Sequence, residues 1–127
     1  MRKMLRGKIH RATVTGADLD YEGSVTIDSE LMDAAGLITG EAVHVWNVTN
    51  GERFETYAIE GAAGSRVVCI NGAAAHKASR GDLVIIAAFG WMEDSEALSW
   101  KPSCVFVDGG NNPIDEGREE VPGQAFG

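Results

Sequence analysis

Gly23 and Ser24 set a hydroxyl directly after a carbonyl that no side chain shields, at the entrance to a candidate strand. Glycine allows unusual backbone angles and open approach to its carbonyl, but a serine hydroxyl is a weak nucleophile until something assists it. Taken alone, the pair reads as an ordinary turn. Arg53 carries a two-pronged fork suited to a carboxylate, and Lys8 a point charge; surface ion pairing is their plainer use. Tyr57 stays protonated at neutral pH, since a phenol titrates near about 10, so it can donate a proton where a carboxylate could not. Tyr21, close to Ser24 in sequence, is its competitor, and an amphipathic core tyrosine the plainer reading. Thr56 fits a strand by propensity alone. Asn71-Gly72-Ala73-Ala74 is small enough for backbone groups to approach a ligand, or is simply a tight loop.

Short β signals punctuated by glycine must position these residues. Leu5 to Thr15, Ser24 to Ile27, Ala42 to Val48, Phe54 to Ile59, Val67 to Ile70, Leu83 to Phe89 and Cys104 to Val107 are the candidate strands. Thr49-Asn50-Gly51 is the strongest hairpin signal. One short helix follows Ser24 to Ile27, capped by Asp28 or Ser29, with Leu31, Met32, Ala34 and Ala35 on its apolar side and Gly36 at its end. Many short strands and little helix indicate an all-β barrel or sandwich in one domain. From residue 109 to 127 the composition turns to Gly, Asn, Pro and Glu, which predicts a flexible C-terminal tail. Along a strand Lys8 and His10 share one face, as do Arg53 and Tyr57, while Thr56 points the other way. A barrel rim, a bulge or a second subunit could reconcile these directions.

The net charge of −8 would repel a polyanion from most of the surface. Nine aromatic residues in all (three Trp, two Tyr, four Phe) make a poor base-stacking platform. Yet Arg2, Lys3, Arg6, Lys8 and Arg11 crowd one end, and Asp115, Glu116, Glu119 and Glu120 the other. The basic cluster is a solvated face or a local attraction for a small anion. Cys69 and Cys104 form no CxxC pair, and His10, His44 and His76 have no metal-ligand spacing to them, so no metal is expected. No apolar run approaches the roughly 18 residues of a membrane span, and no apolar stretch follows the basic start, so a cytoplasmic protein is expected.

Five stretches in order, Gly7 to Arg11, Ala17 to Ser24, Trp46 to Gly51, Arg53 to Ile59 and Asn71 to His76, closely resemble the pyruvoyl-dependent aspartate 1-decarboxylase family. The resemblance covers roughly residues 4 to 108, and five motifs agree in sequence and spacing. It implies a double-psi β-barrel with one or two short helices over residues 1–108, assembled as a homotetramer with active sites between subunits. It also implies conversion of L-aspartate to β-alanine and carbon dioxide in pantothenate, and hence coenzyme A, synthesis. The cofactor would be a pyruvoyl group made from Ser24 by cleavage after Gly23, acting through a Schiff base with the substrate amine. None of the unmodified side chains is a good electron sink, and a conjugated ketone is. By the same resemblance Thr56 assists self-processing and lies beside the substrate, Tyr57 donates the proton, and Lys8, Arg53, Asn71, Gly72, Ala73 and Ala74 contact aspartate. His10 stands behind them. Two rivals remain open: a non-enzymatic binding barrel with an uncut Gly23–Ser24 bond, and a small nucleic-acid-binding barrel using the basic N-terminus.

Overall fold

A computed structural model describes residues 1–115 and 119–123. Among these residues nine strands and two short α-helices form. They are β1 (Arg2–Thr13), β2 (Gly16–Asp18), β3 (Ser24–Asp28), α1 (Ser29–Ala35), β4 (Ala42–Asn47), β5 (Arg53–Gly61), β6 (Val68–Asn71), β7 (Leu83–Met92), α2 (Asp94–Ala97), β8 (Ser103–Val107) and β9 (Pro113–Ile114). A 3-10 turn, Gly72–His76, links β6 toward β7.

Hydrogen-bonded neighbours run β2-β6-β3-β5-β4-β7-β1-β8-β9. Because β2 continues β1 through Val14 and Thr15, whose amides donate to Asp82 O (2.9 Å) and Val68 O (2.8 Å), the list closes on itself. The ring is β1/β2, β6, β3, β5, β4 and β7, with β8 and β9 appended outside it. Two neighbours in the ring, β2 with β6 and β3 with β5, run parallel; the other pairs are antiparallel. Parallel pairs cannot be joined by hairpins, so the chain crosses over itself rather than meandering. This is the all-β, double-psi kind of barrel that the resemblance implied.

Alternation supplies the core. Ile9, Val25, Ile27, Val43, Val45, Ala58, Val68, Ile70, Val84 and Ile86 are wholly buried and pack together inside the ring. The helix that interrupts the strands is fixed at both ends. Asp28, wholly buried, caps it by accepting from the amide of Glu30 (2.8 Å), and Gly36 closes it in a left-handed conformation, φ +73°. Asp28 also accepts from the amides of Gly64 (3.1 Å) and Arg66 (2.7 Å) and from the Arg66 guanidinium (3.3 Å). Burial would raise its pKa, but these donors together hold it below the ordinary carboxylate value. The helix C-terminus lies so close to β1 that a Cβ on Gly7 would overlap the carbonyl of Ala35.

The expected hairpin forms between β4 and β5, and buried Asn47 holds it. Its amide donates to Lys77 O (3.0 Å) and Asp82 Oδ2 (2.9 Å), while its oxygen accepts from the amides of Thr49 (2.9 Å) and Asn50 (3.3 Å).

Past residue 108 the chain continues as a tight turn into β9, which pairs with β8. Buried Asn111 donates to Thr13 O (2.9 Å) and Arg66 O (3.0 Å). The flexibility expected of the tail falls in part on residues 116–118 and 124–127, which lie outside the described residues.

Candidate active site

Ser24 is the first residue of β3 and only 2 % exposed. Its Oγ accepts from the Asn71 amide at 3.1 Å, and its own proton points toward Glu22 O at 3.5 Å, the outer limit of a hydrogen bond. Antiparallel register sets Ser24 directly opposite Asn71, which explains why residues so far apart in sequence meet. Asn71 also donates to Thr26 Oγ1 (3.0 Å) and accepts from the Cys69 thiol (3.3 Å).

Gly72 is placed against the backbone just before Ser24. It adopts φ +70°, and a Cβ there would lie 2.6 Å from Gly23 Cα, 2.7 Å from Gly23 N and 3.0 Å from Tyr21 O. Only glycine lets the 3-10 turn press so close to the backbone before Ser24. Within the Asn71–Ala74 segment, Gly72 is thus the residue that another stretch of the same chain approaches. Ala73, next in the turn, is exposed, and Ala74 packs on the core.

Tyr57 and Thr56 reach the same place from β5. The parallel pairing of β3 and β5 matches Val25 with Ala58. Carried back one residue to the start of β3, it sets Ser24 level with Tyr57. Tyr57 points outward with Ser24 and is 38 % exposed; Thr56 points with buried Ala58 and is half-buried.

Arg53 and Lys8 lie elsewhere on the barrel. Arg53, exposed at the start of β5, stacks over the Trp46 ring at 4.9 Å beside a shallow groove of about 260 Å³. Lys8 is on β1, 6 % exposed, and its ammonium contacts Glu120 Oε2 at 2.6 Å. The Lys8 hydrogen bond, with the charges of Lys8 and His10, holds the Glu120 carboxyl below its ordinary value against the opposing effect of burial. Lys8 on β1 and Arg53 on β5 stand on strands separated by β7 and β4. His10 stacks at a tilt on Phe106, ring centroids 5.5 Å apart.

Within one chain the structure thus gathers Gly23, Ser24, Asn71 and Gly72, sets Thr56 and Tyr57 on the neighbouring strand β5, and leaves Lys8 and Arg53 on other parts of the barrel. Tyr21 is 64 % exposed, its backbone beside Gly72. Three contacts were not singled out from sequence. Thr26 and Cys69 were each legible only as strand residues two positions from Ser24 and Asn71, and Glu120 as one acid among several.

A closed barrel of crossed strands, with a buried serine hydroxyl at a strand mouth and a glycine-only contact on the residue before it, defines a small β-barrel packed tightly around its Gly23–Ser24 linkage. The sequence model of the family described as aspartate decarboxylase matches residues 1–114. The aspartate 1-decarboxylase of Myxococcus xanthus (strain DK1622) is 58 % identical over 124 residues, 97 % of this chain and 95 % of that protein. That of Syntrophotalea carbinolica (strain DSM 2380 / NBRC 103641 / GraBd1) is 59 % identical over 123 residues, 97 % and 93 % of the two chains. Among solved structures, the computationally designed protein msDPBB_sym2 matches with a TM-score of 0.41 and 19 % identity, over 67 % of this chain and 96 % of that one, a likeness too slight to argue from. The chain belongs to the aspartate decarboxylase family.

Proposed function

We propose that this protein is an aspartate 1-decarboxylase, converting L-aspartate to β-alanine and carbon dioxide with a pyruvoyl group that it makes from Ser24 by cutting itself after Gly23. The product would feed pantothenate synthesis. The observation that carries the reading is the setting of Ser24 in a chain of this family: a buried hydroxyl at the mouth of β3, hydrogen-bonded to Asn71, after a glycine against which only another glycine fits.

The residues fit such a group. Ser24 carries its hydroxyl in a polar niche, and Tyr57 stands level with it on the outward face. When formed, the pyruvoyl ketone supplies the electron sink that decarboxylation needs. The chain's own residues bind, orient and move protons around it. Tyr57 returns a proton to the substrate carbon. Asn71, Ala73 and Ala74 border the substrate beside Gly72, and Thr56, on the strand beside β3, assists the cleavage. Arg53 takes a carboxylate through its fork and Lys8 adds a charge.

A homotetramer with sites between subunits answers the separation of Arg53 and Lys8 from Ser24, because a neighbouring copy can bring either group to a serine it does not reach at home. No described helix is long and apolar enough to cross a membrane. The acidic net charge and two free cysteines suit a cytoplasmic enzyme without a nucleic-acid partner. Replacing Ser24 by alanine is the test: loss of both chain cleavage and carbon dioxide release is expected, and a Ser24→Ala protein that still decarboxylates aspartate would overturn the cofactor assignment.

A further inference from the structure

Ser24, Thr26, Cys69 and Asn71 make a square on one face of the β3–β6 pair. Register sets Ser24 opposite Asn71 and Thr26 opposite Cys69, and alternation sends all four away from wholly buried Val25, Ile27, Val68 and Ile70. A primary amide has two N–H donors and one carbonyl oxygen, at ends of nearly equal shape, so its partners decide which end faces where. Asn71 commits every one of them: N–H to Ser24 Oγ (3.1 Å), N–H to Thr26 Oγ1 (3.0 Å), and carbonyl oxygen to the Cys69 thiol (3.3 Å). Burial first and the Asp18 charge second raise the Cys69 pKa, which keeps the thiol proton available for that bond.

We propose that Thr26 is a positioning residue for self-processing, anchoring the Asn71 amide through one N–H so that the other stays on the Ser24 oxygen. The inference rests on the self-cleavage reading above and adds to it a residue outside the motifs that carry the resemblance. In the first step a bond forms from Ser24 Oγ to the Gly23 carbonyl carbon, the C–N bond breaks, and the hydroxyl proton passes to the freed nitrogen. In the second, water takes the Ser24 Cα proton, the Cα=Cβ bond forms, and the Cβ–Oγ bond breaks, its electron pair leaving on Oγ as the Gly23 carboxylate. Hydrolysis of the resulting enamine then gives the ketone and ammonia. Negative charge develops on Oγ in the second step, where an N–H stabilises it and an inverted amide would set a lone pair against it.

The test follows cleavage of the newly made full-length chain by denaturing mass spectrometry, with and without neutral hydroxylamine, which cuts the ester but not the amide. Thr26→Val, which keeps the shape and loses the acceptor, is expected to slow cleavage about tenfold, the worth of one good hydrogen bond, and to accumulate hydroxylamine-sensitive ester. Thr26→Ser is expected to stay within about threefold of the unsubstituted rate. Equal rates for Thr26→Val and the unsubstituted chain would overturn the inference alone, as would a Thr26→Ser chain as slow as Thr26→Val, since the hydroxyl would then not be what matters. An unsubstituted chain that never cleaves would remove the self-processing reading and this inference with it.

Discussion

At the scale of single residues, the niche at the mouth of β3 is held by contacts that leave little slack. Gly72 presses on Gly23 with room for a hydrogen and none for a methyl group. Gly72→Ala must therefore displace the backbone before Ser24, and its positive φ adds strain of about 1 kcal/mol or more. Cleavage of that variant is expected to be at least about tenfold slower by mass spectrometry. Tyr57→Phe removes only a hydroxyl from an outward, partly exposed ring. It is expected to cleave normally and to lose turnover by about a hundredfold or more, the usual worth of a positioned proton donor; normal kcat would move that role elsewhere, with Tyr21 the first candidate.

At the scale of elements, β3 and α1 meet at Asp28, and the pH response of the fold belongs there. Asp28 has a folded pKa held below its ordinary 3.8 by its amide and Arg66 donors against the effect of burial. A depressed carboxyl contributes stability that is present above the unfolded pKa and lost as pH falls through the folded one, so this contribution fades below about pH 4. Asp28→Asn sets an amide nitrogen among donors and is expected to cost about 2–4 kcal/mol near neutrality, with a flatter acid limb; urea midpoints from pH 7 down to 3 would check both. The strands themselves were legible because alternation and turn residues mark them locally: Asn47 through Gly51 form the hairpin, and Gly36 ends the helix, as their types require. β2, three residues long, has no such signal, and α2 shows itself only through a single turn's worth of acidic and small residues. The contacts of Thr26 and Cys69 were not readable, since they depend on β3–β6 register across more than forty residues. Chain closure is equally non-local, and the family resemblance, rather than strand pattern, pointed to the kind of barrel.

At the scale of the whole molecule, the basic start of the chain finds acids of its own. Lys8 meets Glu120, Arg2 meets Asp94 at 3.1 Å, and Arg6 meets Glu41. The cluster that read as a solvated face or an anion site is thus partly neutralised internally. For Lys8 this has a functional side: a buried ammonium keeps a carboxylate partner, and a substrate carboxylate would have to displace that of Glu120. Glu120→Gln is expected to lower KM for aspartate about two- to fivefold with kcat little changed, and an unchanged or higher KM would take Lys8 out of the substrate's reach.

The central claim is that the Gly23–Ser24 linkage is converted into the cofactor. N-terminal analysis and mass of the purified protein, paired with carbon dioxide release from L-aspartate, address it most directly. Two fragments, 1–23 and 24–127, with the larger beginning in a blocked pyruvoyl end and activity rising with its yield, are the predicted result. A single uncut chain that releases carbon dioxide from aspartate, its serine unaltered, would contradict it.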